Sequence, residues 1–202
     1  MFDWTERLSH FNGGEITENV IVRLAGNEDL PEIRDLLAEG GRFIVAQGGK
    51  NAWPDPFPAE RVTPLLDAQC VYVARSDRHG TVGTITIVDE DQPFWGDRPR
   101  PSAHLHRLAV RRSLAGQGIG RQMVEWAIHT VARQGIPRLR LECLFDAARL
   151  RAFYESLGFL LVGAVDDQGY HLALYEREVQ SLGGVFETGD FISGGGLTAP
   201  NP

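Results

Sequence analysis

Apolar residues recur along the chain with periods of about 2 and about 3.6 residues, and the switches between the two mark out its elements. Val20 to Leu24 (VIVRL) is a short strand. Asn27 follows as the N-cap of a helix over Glu28 to Glu39, with Leu30, Ile33, Leu36 and Leu37 on one face and Gly40-Gly41 as the stop. Residues 42–58, with Gly48-Gly49, Trp53, Pro54, Pro56 and Pro58, read as a loop before a short helix near Ala59 to Leu66. Cys70 to Arg75 and Thr81 to Val88 form a hairpin about the turn SDRHG. A Pro- and aromatic-rich loop, Asp89 to Ser102, leads into the strand Ala103 to Val110. RRSLAGQGIG then opens a helix to about Gln134, with Ile119, Met123, Trp126, Ala127 and Val131 at helical spacing and Gly135 and Pro137 behind it. Arg138 to Leu144 is again a strand. Asp146 caps a helix that carries Leu150, Phe153, Tyr154 and Leu157 on one face and ends at Gly158. Phe159 to Val165 and Tyr170 to Glu176 are the last strands, around a turn at Asp166 to Gly169.

This order, βα(α)βββαβαββ, is that of an α+β domain on a mixed sheet. Residues 1–18 hold no period and are expected to form an N-terminal arm, 19–178 the domain, and 179–202, with Gly194-Gly195-Gly196, an extension. At 202 residues, 43% apolar and 23% charged, the composition suits one soluble globular domain. No apolar run approaches the roughly 18 residues of a membrane span. Met-Phe-Asp-Trp-Thr-Glu lacks the basic and apolar regions of a secretory signal, so the cytoplasm is the expected location. Cys70 and Cys143 both fall in apolar strands and are expected as buried, reduced thiols.

The net charge of −7 conceals a basic middle: residues 98–151 hold 11 Arg against Glu125, Glu142 and Asp146. Such a chain is a poor tracker of DNA phosphates, so no nucleic-acid partner is expected. It suits a small polyanion held at one place. Gly116-x-Gly118-x-Gly120 lies between a strand and a helix, flanked by Arg111, Arg112 and Arg121. Glycines let backbone amides surround a phosphate, and the helix N-terminus adds partial positive charge. No Gly-Lys-Ser/Thr follows, so this is not a Walker A loop, and it is not a clean G-x-G-x-x-G in an opening βαβ unit. Alone it is equally a bare turn under a packed helix.

The stretch HLHRLAVRRSLAGQGIGRQMVEWA, followed by LRLECLFDAARLRAFYESLGF, resembles the GNAT superfamily of acetyl-CoA-dependent N-acetyltransferases. The resemblance covers roughly residues 20–178 and is strongest over 103–160. It implies a single GNAT-like domain whose mixed, mostly antiparallel, splayed sheet is flanked by helices and admits acetyl-CoA as co-substrate. The pyrophosphate then lies on the amides of Gly116, Gln117, Gly118, Ile119 and Gly120, and pantetheine pairs with the backbone of Leu108, Ala109 and Val110. Two positions depart from the family: Ala115 stands where Arg or Gln usually opens the loop, with Arg111, Arg112 and Arg121 nearby to compensate, and Ala147 stands where Asn is frequent beside the pantetheine arm. Tyr154 takes the place of the helix tyrosine that meets the cofactor sulfur. AHLHRLAV is similar to the arylalkylamine-acetylating branch of the family, serotonin N-acetyltransferase, whose corresponding histidines are assigned to proton removal.

The chemistry agrees. An acceptor amine of pKa near 10 is protonated at pH 7, and stripping the proton costs about 4 kcal/mol at 1.36 per unit. Imidazole is suited to that task, and His104 and His106, two apart on a strand, share a face. A tyrosine phenol can hydrogen-bond the departing thiolate. No Cys-His pair lies near the loop and no metal-ligand spacing is present, so direct attack without a metal is expected. Trp53, Phe94 and Trp95 are candidates to pack an apolar amine, with Asp89, Glu90, Asp91 and Asp97 to attract its charge. The acceptor is then a small-molecule amine or a peptide N-terminus, and the protein a monomer or homodimer. Three readings stand beside this one: transfer of another acyl group; a non-catalytic CoA-binding sensor or interaction module on the same fold; and a dinucleotide protein that answers to NAD(H) and not to CoA.

Overall fold

The computed structural model describes residues 6–7, 20–50, 53–89, 95–96, 98–99 and 101–180. Its strands are β1 (Glu6–Arg7), β2 (Val20–Leu24), β3 (Val71–Ser76), β4 (Gly80–Val88), β5 (Ala103–Val110), β6 (Arg138–Leu144), β7 (Leu160–Asp167) and β8 (Tyr170–Glu178). Its helices are α1 (Leu30–Ala46), α2 (Thr63–Asp67), α3 (Ile119–Arg133) and α4 (Ala148–Glu155). The architecture is α+β, on mixed and mostly antiparallel pairing. Two compact units divide the described chain: one up to Val88 with Leu105–Ala127, the other Asp89–His104 with the chain from Ile128 onward.

In the first unit the strands run in the order β1-β2-β3-β4-β5. β2 and β3 pair antiparallel with Val22 opposite Ala74, and β3 and β4 with Val73 opposite Thr84. Ile33, Leu36 and Leu37 of α1 pack with Phe57, Val62, Leu65, Leu66, Val71 and Val73 into one core. Burying each such side chain contributes roughly 1.5–3 kcal/mol. Glu6–Arg7, within the expected N-terminal arm, pair with β2.

The helix differs at both ends from the expectation of Glu28 to Glu39. Asn27–Asp29 form a 3₁₀ turn, and Asp29, not Asn27, accepts the Gly26 amide at 2.9 Å. Both Asp29 carboxylate oxygens also accept from Arg23 at 2.7 Å. Burial alone would raise the Asp29 pKa; these bonds outweigh it and hold the carboxyl below its ordinary value. At the other end α1 runs through Gly40-Gly41 to Ala46. A Cβ at Gly40 would lie 2.9 Å from the Trp53 ring, so this glycine serves a close contact and not a stop. Tertiary packing overrides propensity here.

The second unit has the order β5-β6-β8-β7. Ala103 and His104 pair in parallel with Leu139 and Arg140, Leu141 lies opposite Tyr175, and Ala164 opposite Ala173. Leu139, Leu141, Tyr154, Leu157, Phe159, Leu174 and Tyr175 are buried. Three expectations are corrected in the chain as a whole. Cys70 precedes β3 and is half-buried, while Cys143 is buried. Asp146 makes no side-chain cap; Ala147 is the residue at that position. Leu150 is 40% exposed, so the inward face of α4 is shorter than its spacing suggests.

Candidate active site

In the first unit β5 passes through the turn Arg112–Leu114 into the glycine loop and α3. Leu114 and Ile119 are buried and anchor the loop at its two ends, while Ala115, Gly116, Gln117 and Gly118 are exposed. Gly116 and Gly118 hold φ of 83° and 82°, the left-handed region that glycine enters without steric cost. Nothing lies within 4 Å of where a Gly116 Cβ would stand, so open space faces that α-carbon. The α3 ladder begins with the Gly118 carbonyl, which accepts from the Gln122 amide at 3.0 Å. The first amides of a helix have no partner within it. Among the described residues the amides of Gly116, Gly118, Ile119 and Gly120 make no backbone hydrogen bond; that of Gln117 donates to Leu114 at 3.4 Å. Four amides, two of them in the first turn of α3, therefore suit an anion.

The flanking arginines divide. The Arg111 guanidinium pairs with Glu39 (3.4 Å) and Asp35 (3.5 Å) of α1, and its amide donates to Val82 at 2.8 Å. Arg112 lies over the Phe43 ring, 3.6 Å from its centroid. Arg121 pairs with Glu125 one turn on, at 3.7 Å, and its side chain is 40% exposed. On β5, Ala109 is buried in the core of this unit while Leu108 and Val110 are half-buried. Arg107, between His106 and Leu108, holds φ of 50°, which costs a non-glycine residue about 1–2 kcal/mol. Backbone strain of this kind gathers at functional sites, and an arginine in a sequence gives no sign of it. His106, just before it, is half-buried. Trp53 is half-buried and covers Gly40.

In the second unit His104 is fully buried. Its Nε2 lies 3.3 Å from Ser102 Oγ, which accepts from Arg140 Nη1 at 3.0 Å. Arg140, also fully buried, donates Nε–H to Glu176 at 2.8 Å and Nη2–H to the Pro99 carbonyl at 2.8 Å. Trp95, 1% exposed, meets the His104 ring edge-on at 5.4 Å and lies 5.1 Å from the Arg140 guanidinium. Trp95 is thus packed in this cluster instead of lining an open cleft. Phe94, Glu90, Asp91 and Asp97 lie outside the described residues. Ser102, Arg140 and Glu176 were not legible as site residues. In RLRLECL the apolar alternation turns Arg140 outward, and only its register partner, Glu176 on β8, hints at the pairing.

Tyr154, on α4, is buried between Phe153 (5.2 Å) and Phe159 (5.9 Å). Burial pushes its phenol well above the ordinary value, and the charges of Cys143 and Glu142 push it further. The hydroxyl therefore stays protonated at any working pH and acts only as a neutral donor or acceptor. Ala147 is half-buried, and its carbonyl accepts from Arg151 at 3.0 Å as α4 begins. Among the described residues no group of three or more His, Cys, Asp or Glu is placed to hold a metal ion, and no helix is long and apolar enough to cross a membrane.

Residues 31–159 match the profile of the acetyltransferase (GNAT) family. The uncharacterized N-acetyltransferase YesJ of Bacillus subtilis (strain 168) is 32% identical over 159 residues, which span 75% of this chain and 86% of that one. A GNAT-family acetyltransferase from Listeria monocytogenes 4b F2365 is alike in fold, with a TM-score of 0.67 and 23% identity over 79% of this chain and 95% of its own. A putative acetyltransferase from Salmonella typhimurium, solved with its cofactor acetyl-CoA, has a TM-score of 0.61 at 16% identity, over 80% of this chain and 94% of its own. The chain belongs to the acetyltransferase (GNAT) family. It is an acyltransferase with the single mixed-sheet domain of that family.

Proposed function

We propose that the protein transfers an acetyl group from acetyl-CoA to a primary amine, by direct attack in a ternary complex. The observation that carries this reading is the exposed loop Ala115–Gly118, with two left-handed glycines, open space at Gly116 and amides leading into α3 that make no backbone hydrogen bond among the described residues. The donor fits the residues present. The amides of Gly116, Gly118, Ile119 and Gly120 hold its diphosphate, and the β5 backbone at Leu108 to Val110 takes the pantetheine arm. Acetyl-CoA, when bound, supplies a thioester carbonyl open to a nucleophile. Ala115 adds no charge, so the amides carry the diphosphate, with Arg112 and Arg121 as the cations beside them; Arg111 is held by acids.

The acceptor arrives as an ammonium ion and must lose a proton. We assign that proton to the pair His104 and His106. His106, the more exposed, takes it, and His104, buried on Ser102, acts behind it. The amine nitrogen bonds to the acetyl carbon, the carbon–sulfur bond breaks, the nitrogen gives its second proton to water, and the sulfur leaves as thiolate. Tyr154 donates a hydrogen bond to that sulfur. A thiol of pKa about 8.5 is a stronger acid than a tyrosine phenol of about 10, and burial of Tyr154 widens the gap, so the phenol keeps its proton. Trp53 and Phe94 are assigned to the apolar part of the acceptor, a small-molecule amine or peptide N-terminus.

Thermal unfolding with acetyl-CoA, CoA or NADH, followed by thiol release against a panel of amines, tests the reading. Ligand at one hundred times Kd contributes about 2.7 kcal/mol, a rise of roughly 5–10 °C for a domain of this size. The expected result is a shift with acetyl-CoA and CoA, none with NADH, and thiol release with at least one amine. Absence of any CoA shift, or binding without turnover on any amine, overturns it.

A further inference from the structure

The last turns of α1, on both sides of the glycines that looked like its end, reach the segment that enters the loop. Glu39 Oε1 accepts the backbone amide of Arg112 at 3.1 Å, and Oε2 pairs with the Arg111 guanidinium at 3.4 Å. One turn further along α1, Phe43 lies under the Arg112 guanidinium at 3.6 Å. From the other side the Arg111 amide donates to Val82 of β4 at 2.8 Å, and its guanidinium to the Thr81 carbonyl at 3.4 Å. Arg111 and Arg112 are therefore gripped between α1 and β4, immediately ahead of an exposed loop whose next buried anchor is Leu114.

We infer that Glu39 is a positioning residue for the diphosphate of the donor, with Phe43 as its partner in the grip. The inference rests on the proposed acetyl-CoA reading and deepens it. An acid beside a phosphate site is otherwise unfavourable, since its charge opposes the anion and it occupies Arg111, a cation the loop would otherwise have. Glu39 offsets this by fixing the path of the backbone. Four amides must converge on one anion, and a tether on the residues that lead into the loop removes conformational freedom that binding would otherwise have to remove.

The sign of the effect makes this testable. If the carboxylate acted mainly through its charge, removing it would tighten acetyl-CoA; if it acts as a tether, removal weakens it. Glu39→Ala is expected to raise KM for acetyl-CoA about tenfold, equivalent to about 1.4 kcal/mol, with kcat changed less than about twofold. KM for S-acetylpantetheine, which lacks the diphosphate, should stay within about twofold. Glu39→Gln keeps an oxygen for the Arg112 amide and should cost only about threefold. Phe43→Leu, at a 39% exposed position, should do the same and carries the test if Glu39→Ala does not fold. Calorimetric Kd values for CoA and pantetheine should follow the same pattern without turnover. Tighter acetyl-CoA binding, an equal loss with both donors, or no change overturns the inference. Equal wild-type affinity for CoA and pantetheine would instead overturn the placement of the diphosphate on the loop.

Discussion

The glycine loop and the cluster around Arg140 meet charge in opposite ways. Ala115–Gly118 is exposed, carries no charged side chain, and presents backbone amides whose direction depends on two left-handed φ angles. Arg140 is fully buried and has its guanidinium shared among Glu176, Ser102 and Pro99. In the loop water solvates the site, so losing one side chain changes little and the backbone path decides. In the cluster an ion has been taken out of water, and each partner removed leaves the other uncompensated.

Five substitutions break or sharpen this contrast, from the largest effect to the smallest. Arg140→Ala should lower stability by about 3–5 kcal/mol in urea unfolding, since it takes a buried cation from Glu176, which keeps only Arg138 at 3.8 Å, and a donor from Ser102; a loss below about 1 kcal/mol would show that the cluster is no more sensitive than a surface pair. Tyr154→Phe removes one oxygen from a packed ring, so melting should hold while turnover falls roughly a hundredfold, or about 2.7 kcal/mol. Undiminished turnover at every pH would remove the phenol from the chemistry.

Gly116→Ala imposes a Cβ on a φ of 83° at a cost of about 1–2 kcal/mol, and should raise the Kd for CoA about tenfold. Ala115→Arg, which restores the residue usual in the family, should lower it only a few-fold. The contrast breaks if the restored arginine matters more than the glycine. The smallest effect belongs to Asp29, whose folded pKa lies below its ordinary 3.8. Its contribution is therefore present above about pH 4 and is lost as pH falls through the folded value. Asp29→Asn should flatten the acid limb of a stability-versus-pH curve below about pH 4, and an unchanged limb would show that the Arg23 pair is not what acid breaks.

Much of the fold was legible because its strands are short and bounded by turn residues: Val20–Leu24, Ala103–Val110 and Arg138–Leu144 lie where their pattern places them. The loop glycines were legible for a related reason, since a left-handed turn before a helix favours a residue without a Cβ. What failed failed on contacts distant in sequence. Gly40 looks like a helix stop until Trp53 is seen against it. Arg140 looks solvent-facing because a period of two gives the face of a strand but not whether that face is covered. Asp146 has the chemistry of a cap, yet α4 starts without its side chain. Arg107 shows how far local pattern reaches: no feature of HLHRLAV announces a positive φ in its middle.

The two cysteines differ in a way that bears on any bench work with this protein. Burial pushes the Cys143 thiol up to about 12, against the opposing pull of Arg151 and with a smaller push from each of the acids Glu142 and Glu155. At pH 8 about one such thiol in ten thousand is ionised, and the thiolate is the species that reacts. Cys70 is half-buried at a strand entrance and is the readier of the pair to be labelled. A chromogenic disulfide reagent should therefore count about one thiol per folded chain and two per unfolded chain, so Cys143 serves as a native clock: with enough reagent for labelling to outpace reclosing, the rate at which the second thiol reacts is the rate at which β6 opens.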